Sequence, residues 1–150
     1  MKLEDEIKQT KFKSEYQKLF INILFTSNWL MSKDNVVLKP YGISIQQYNI
    51  LRILKGQHPK SASINLLIER MLDKNSNASR LVDKLENKNL VIRTECPADR
   101  RKVDVVISEE GIALLETLSG KMEKSMLGFK SFKESEVVMM NNYLDKLRST

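Results

Sequence analysis

Ser76-Asn77-Ala78-Ser79-Arg80-Leu81-Val82-Asp83-Lys84-Leu85-Glu86, then Leu90-Val91-Ile92-Arg93-Thr94 and Val103-Asp104-Val105-Val106-Ile107, are the runs from which the architecture can be built. In the first, Ala78, Leu81, Val82 and Leu85 recur at i, i+3, i+4 and i+7, which predicts a helix over 76–88 with a single apolar stripe. At about 100° per residue, Ser76, Arg80 and Asp83 point away from that stripe, with Asn77, Ser79 and Lys84 on its flanks. Asn89 follows as a left-handed cap, because Asn tolerates positive φ better than most residues. The period then changes. Two β-rich runs flank the polar, turn-like segment from Cys96 to Lys102, so the spacing predicts a hairpin with a basic tip.

Upstream, Ser63 can cap a short helix that carries Ile64, Leu67, Ile68 and Met71 on one side, and Leu72-Asp73-Lys74-Asn75 turns the chain. Before it, Ser44 and Gln47 form an S-x-x-Q capping box after the break Pro40-Tyr41-Gly42. The helix they open carries Ile45, Tyr48, Leu51 and Leu54 and should stop at Gly56, with Pro59 blocking continuation. From about Glu4 to Met31, apolar residues at helical spacing predict one long first helix. Its length implies that part of it packs outside its own subunit. Downstream, Ser108 can cap a helix lined by Ile112, Leu115, Leu118 and Met122. Ser131 with Glu134 would open a last helix carrying Val137, Val138, Met140, Tyr143, Leu144 and Leu147. The fold class expected is mainly α: a winged helix-turn-helix with a two-stranded β-hairpin wing and helical segments at both ends.

The 150 residues fit a single domain, and 41% hydrophobic with 29% charged residues is the balance of a globular chain. The formal charge of +6 favours an anionic partner. It is not concentrated on the central segment: residues 61–105 hold nine Lys and Arg against seven Asp and Glu, whereas residues 1–60 hold ten against five. One cysteine, Cys96, excludes an intramolecular disulfide. One histidine, His58, excludes most zinc sites and any triad needing a histidine elsewhere. There is no phosphate-cradling glycine loop, and neither a metal nor another cofactor is expected, so the chain does not read as an enzyme. Leu19 to Met31 is too short and too polar to span a bilayer, and no secretory pattern precedes it. A cytoplasmic location is therefore expected, with no membrane partner.

A DNA reader needs a helix with one face for docking and an outer face of short hydrogen-bonding groups and cations, because the major groove accepts a single helix. Ser76, Asn77, Ser79, Arg80 and Lys84 supply that outer face. Arginine can take guanine O6 and N7 in bidentate fashion, while serine and asparagine can bond bases or phosphates. On the wing, Arg100, Arg101 and Lys102 suit the minor groove and its phosphates. Seen alone, the helix would be a solvated face and the basic run surface decoration; their adjacency carries the argument.

From roughly Gly42 to Leu118 the chain resembles the MarR-type regulators, winged helix-turn-helix proteins of bacteria and archaea. The matching runs are Leu67-Ile68-Glu69-Arg70-Met71, the Ser76 to Glu86 helix, and Asp99-Arg100-Arg101 before Val103-Asp104-Val105-Val106-Ile107-Ser108-Glu109-Glu110-Gly111. It departs at Leu72 and Asn89, where the family often has glycine. The resemblance implies that Asp99 braces Arg101, whose guanidinium enters the minor groove. It also implies a homodimer built by residues 1–40 and 109–150 around a DNA-binding region at 44–108. Two recognition helices would then read double-stranded DNA at a pseudo-palindromic operator with half-site centres about 10 bp apart.

Such proteins are usually repressors released by a small ligand or an oxidant. The effector pocket would lie between the first, second and fifth helices, with Trp29, Tyr41 and Tyr48 as aromatic candidates; the same residues also fit plain core. Oxidant sensors of the family keep their reactive cysteine near the first helix, whereas Cys96 lies at the wing. The competing reading is a winged-helix protein-interaction module that never touches DNA. That module would need apolar anchors exposed on the fourth helix, and the sequence places none there.

Overall fold

The computed structural model describes the backbone of residues 1–96 and 99–149, and the side chains of these except 95, 96, 99–102 and 125. The helices are α1 (Leu3–Ile7), α2 (Glu15–Leu38), α3 (Ile45–Gln57), α4 (Ile64–Arg70), α5 (Ala78–Glu86), α6 (Glu109–Ser125) and α7 (Glu134–Arg148). The strands are β1 (Ala62–Ser63), β2 (Val91–Cys96) and β3 (Asp99–Ile107).

The long first helix expected from Glu4 to Met31 is two helices. Lys8 turns left-handed with φ 54° and ends α1. Ser14 then starts α2 afresh, its hydroxyl accepting the Gln17 N–H at 3.2 Å, while Gln17 Oε1 accepts the Lys13 N–H at 2.7 Å. α2 continues past Met31 to Leu38, whose side chain is fully buried, and a 3₁₀ turn at Lys39–Tyr41 closes on Gly42 at φ 63°. The short α1 lies back on α2 through buried Leu3 and a 2.5 Å ion pair between Glu4 and Lys18.

The capping box before α3 forms as the sequence requires: Ser44 N–H donates to Gln47 Oε1 at 2.9 Å, and Gln47 N–H to Ser44 Oγ at 3.2 Å. Ile50, Leu51 and Leu54 of α3 meet Leu67, Met71, Val82, Leu85, Val105 and Leu118 in one core. The sheet has one strand more than the expected hairpin. Its order is β1–β3–β2, with Ala62 opposite Val105 and Ser63 opposite Asp104. Two residues are too few to carry an alternating pattern, so β1 leaves no periodic signal. Ser63 ends this strand and also caps α4, accepting the Leu66 N–H at 3.2 Å.

β2 and β3 pair antiparallel from Val91 opposite Ile107, with a register shift between Glu95 and Cys96. Ser108 opens α6, accepting the Gly111 N–H at 3.0 Å and donating to the Asn89 carbonyl at 2.6 Å. The Ser131–Glu134 box does not form. Ser131 lies in a 3₁₀ segment, Leu127–Ser131, and donates to the Gly128 carbonyl, while Glu136 accepts the Lys133 N–H at 2.8 Å in front of α7. Among the described residues no helix is long and apolar enough to cross a membrane.

Candidate nucleic-acid interface

α4, the turn after it and α5 form the helix-turn-helix. Leu67 and Met71 anchor the first limb, and Ala78, Val82 and Leu85 the second, all buried. The turn between them is stitched at each step. Leu72 N–H donates to Asn49 Oδ1 on α3 at 2.9 Å, and Lys74 Nζ donates to the carbonyls of Ile68 and Glu69 at the end of α4. Asp73 accepts the Asn75 N–H at 3.0 Å and the Ser76 hydroxyl at 2.7 Å. The Ser76 hydroxyl, followed by the Asn75 amide, holds the Asp73 carboxyl below its ordinary range. Leu72 thus stands in a turn held by side-chain bonds. Positive φ is confined among described non-glycine residues to Lys8 and Asn89.

The recognition helix is shorter than expected, beginning at Ala78 and ending at Glu86. Ser76 and Asn77 therefore stand ahead of it. Asn77 is its N-cap, Oδ1 accepting the Arg80 N–H at 3.0 Å, and its exposed carboxamide sits beside the start of the outer face. Ser79, Arg80, Asp83 and Lys84 are exposed along that face, and Ser76 is half-buried. The surface thus alternates hydroxyl, guanidinium, carboxylate and ammonium above a fully apolar underside. Asn89 closes the segment at φ 57°.

Sequence reasoning did not find Arg93. It projects from β2 to the outer half of α5, where its Nη1 pairs with Asp83 Oδ1 and lies 3.7 Å from Glu86 Oε2. A signal was available: Val91 faces the core, and Arg93 shares its face of the strand two residues on, one step beyond the core's edge. The wing residues Asp99, Arg100, Arg101 and Lys102 have their backbone in β3. Their side chains, and with them the Asp99–Arg101 brace and Cys96, lie outside the described residues.

The three aromatic candidates are not brought together. Tyr48 is buried and its hydroxyl accepts from Arg52 Nη1 at 3.3 Å. Trp29 lies under Lys33, whose Nζ is 3.7 Å from the ring centroid, and faces a small cleft with Leu3 and Phe25. Tyr41 alone lines the open cavity of about 600 Å³ between α2 and α6, with Lys33, Val36, Val37, Lys121 and Lys124 around it; its hydroxyl accepts from Lys121 Nζ. Among the described residues no group of three or more His, Cys, Asp or Glu could hold a metal.

Residues 43–103 match the MarR family. The HTH-type transcriptional regulator MhqR of Bacillus subtilis is 30% identical over 103 residues, covering 67% of this chain and 68% of that protein. The HTH-type transcriptional repressor MdtR of the same bacterium is 33% identical, over 68% of this chain and 64% of its own length. Among solved structures, a MarR transcription factor from Planctomyces limnophilus superposes with a TM-score of 0.68 at 26% identity, covering 91% of this chain and 99% of that one.

Proposed function

Since the chain belongs to the MarR family of DNA-binding transcriptional regulators, we propose that it is a repressor that grips a pseudo-palindromic operator as a homodimer and lets go when a small molecule binds. The observation that carries this reading is the outer face of α5: Ser79, Arg80 and Lys84 exposed over a buried apolar underside, with Asn77 at its head. Arg80 reads a base edge, and Asn77 offers its carboxamide N–H groups to a neighbouring one. Ser79 and Lys84 position on phosphates, and Ser76 does so by exchanging Asp73 for a phosphate oxygen. On the wing, Arg101, braced by Asp99, anchors in the minor groove, with Arg100 and Lys102 on the flanking phosphates.

Residues 44–108 form the DNA-binding region in this reading, and the helical ends 1–40 and 109–150 form the dimer. The sign of regulation is supported by the relative named a repressor. The effector in this reading is anionic: Lys33, Lys121 and Lys124 border the cavity beside Tyr41.

The test is a titration of the purified chain against random-sequence duplex DNA at two salt concentrations, followed by selection and sequencing of the bound pool. A palindromic motif bound with steep salt dependence is expected. Absence of salt-sensitive binding would leave the protein-interaction module as the better reading.

A further inference from the structure

α5 carries two carboxylates on the half of the helix that a DNA reader turns toward phosphates. Asp83 lies about 60° around the helix from Arg80, and Glu86 one turn further along the same side. Their side chains are 52% and 44% exposed. Unneutralised, both would repel the backbone that Arg80, Lys84 and the wing are arranged to attract. Neither is unneutralised. Arg93 reaches from β2 and pairs with both, its own side chain only 27% exposed.

Both carboxylates are met by the same guanidinium nitrogen, Nη1, which pairs with Asp83 and lies within ion-pair distance of Glu86 one helical turn on. The pairing also has a mechanical consequence. β2 leads directly into the wing, so the Arg93 contact ties the outer half of the recognition helix to the first strand of the other DNA-contacting element.

We propose that Arg93 is a positioning residue of the DNA interface: it neutralises Asp83 and Glu86 on the recognition helix, so that the phosphate backbone meets no unpaired carboxylate there. It does not read a base. The inference rests on the DNA-binding reading and extends it to a residue whose effect is independent of sequence, so random-sequence duplex DNA is a sufficient probe.

Arg93→Gln is expected to weaken binding to such a duplex about tenfold at low salt. Adding Asp83→Asn and Glu86→Gln to that variant should restore affinity to within about threefold, because the repulsion goes with the carboxylates. Asp83→Asn with Glu86→Gln in the natural Arg93 background should bind more tightly, with a salt slope steeper by about one, as the released guanidinium turns to a phosphate. This last variant keeps the test decisive even if Arg93→Gln fails to fold.

Loss of affinity without rescue would reduce Arg93 to a structural strut and overturn the proposal. So would weaker binding of the Asp83→Asn, Glu86→Gln chain, which would make Asp83 itself a DNA contact. If the natural chain binds the duplex and Arg93→Gln binds it equally well, this inference alone falls. If the natural chain does not bind it at all, the DNA-binding reading falls and takes the inference with it.

Discussion

A Cβ built on Gly111 would stand 2.3 Å from the Leu90 backbone oxygen and 2.8 Å from Cγ1 of Ile107, whereas one on Gly120, in the same helix, would meet nothing within 4 Å. Gly111→Ala must push α6 away from the segment that ends the recognition helix, at a cost of about 1 to 3 kcal/mol. Gly120→Ala should stabilise by about 0.4 to 1 kcal/mol, by restricting the unfolded chain. Thermal melts of the two variants should move in opposite directions; a Gly111→Ala melt no lower than that of the natural chain would refute the crowding. Arg80→Ala makes a different prediction, because its guanidinium has no structural duty in the helix-turn-helix core: base preference should relax at one base pair per half-site, by about 1 to 3 kcal/mol. Unchanged preference in a selection experiment would remove Arg80 from the reading head. At this scale, what was legible in the sequence is what is local. Ser44 with Gln47, Ser63, Asn89 and the capping bond of Ser108 act on groups within a few residues of themselves, and each does what its neighbours imply. Arg93 finds Asp83 ten residues away across a helix–strand junction; strand alternation gives the face it shares with Val91 but not its partner on the helix.

Between elements the same limit appears as a question of where helices stop. Apolar spacing on both sides of residues 8–14 predicts one continuous helix from Glu4, yet Ser14 and Gln17 repeat the S-x-x-Q pattern of Ser44 and Gln47 and start α2 afresh. Periodicity reports which face is apolar; a cap reports where the backbone changes direction, and here the cap prevails. The recognition helix is the other case. Its apolar stripe gives its core face, but Asn77 caps it, so the helix begins at Ala78, two residues later than the expected start at Ser76. The turn between α4 and α5 depends on Asn49, a polar residue on α3 that sequence order separates from it by β1 and α4. Asn49→Ala should cost about 1 kcal/mol by leaving the Leu72 N–H without its acceptor. Amide exchange reads this directly: Leu72 should lose protection while the α3 core amides keep theirs, and an unchanged Leu72 rate would show that the turn stands without Asn49. The Asp73 carboxylate contributes to the same turn with a defined pH sense. Its folded value is depressed, so its contribution is complete above the ordinary carboxylate range and is lost as pH falls through the folded value.

For the whole molecule, the distribution of apolar surface is uneven. The core gathers around α3, α4, α5, the sheet and the first half of α6, while no described residue of α7 is buried. Tyr16 and Phe20 on α2 are 87% and 64% exposed, and Tyr143 and Leu147 on α7 are 65% and 52% exposed. Leu19 and Ile23 of α2 face Met140, Tyr143, Leu144 and Leu147 of α7 across an open apolar groove of about 570 Å³. A single chain would hold this surface in water at a cost of roughly 25 cal/mol per Å², the same term that closes the core elsewhere in the molecule. The stripes on both terminal segments were legible in the sequence; that they would find so little to cover in their own subunit follows only once the central region is seen to close on itself. In the proposed homodimer, a second copy presenting the same groove by a two-fold axis would satisfy both faces at once, and the two recognition helices would then read half-sites one turn of DNA apart. Leu144→Glu places a charge in that groove without touching the helix-turn-helix. It should raise the dimer dissociation constant by about thirtyfold or more. Sedimentation should then show a monomer whose melt retains the DNA-binding core and whose affinity for a two-half-site duplex falls to that for a single half-site. A Leu144→Glu chain that still sediments as a dimer would place the subunit contact on another face, and a natural chain that sediments as a monomer would leave the palindromic operator without a reader.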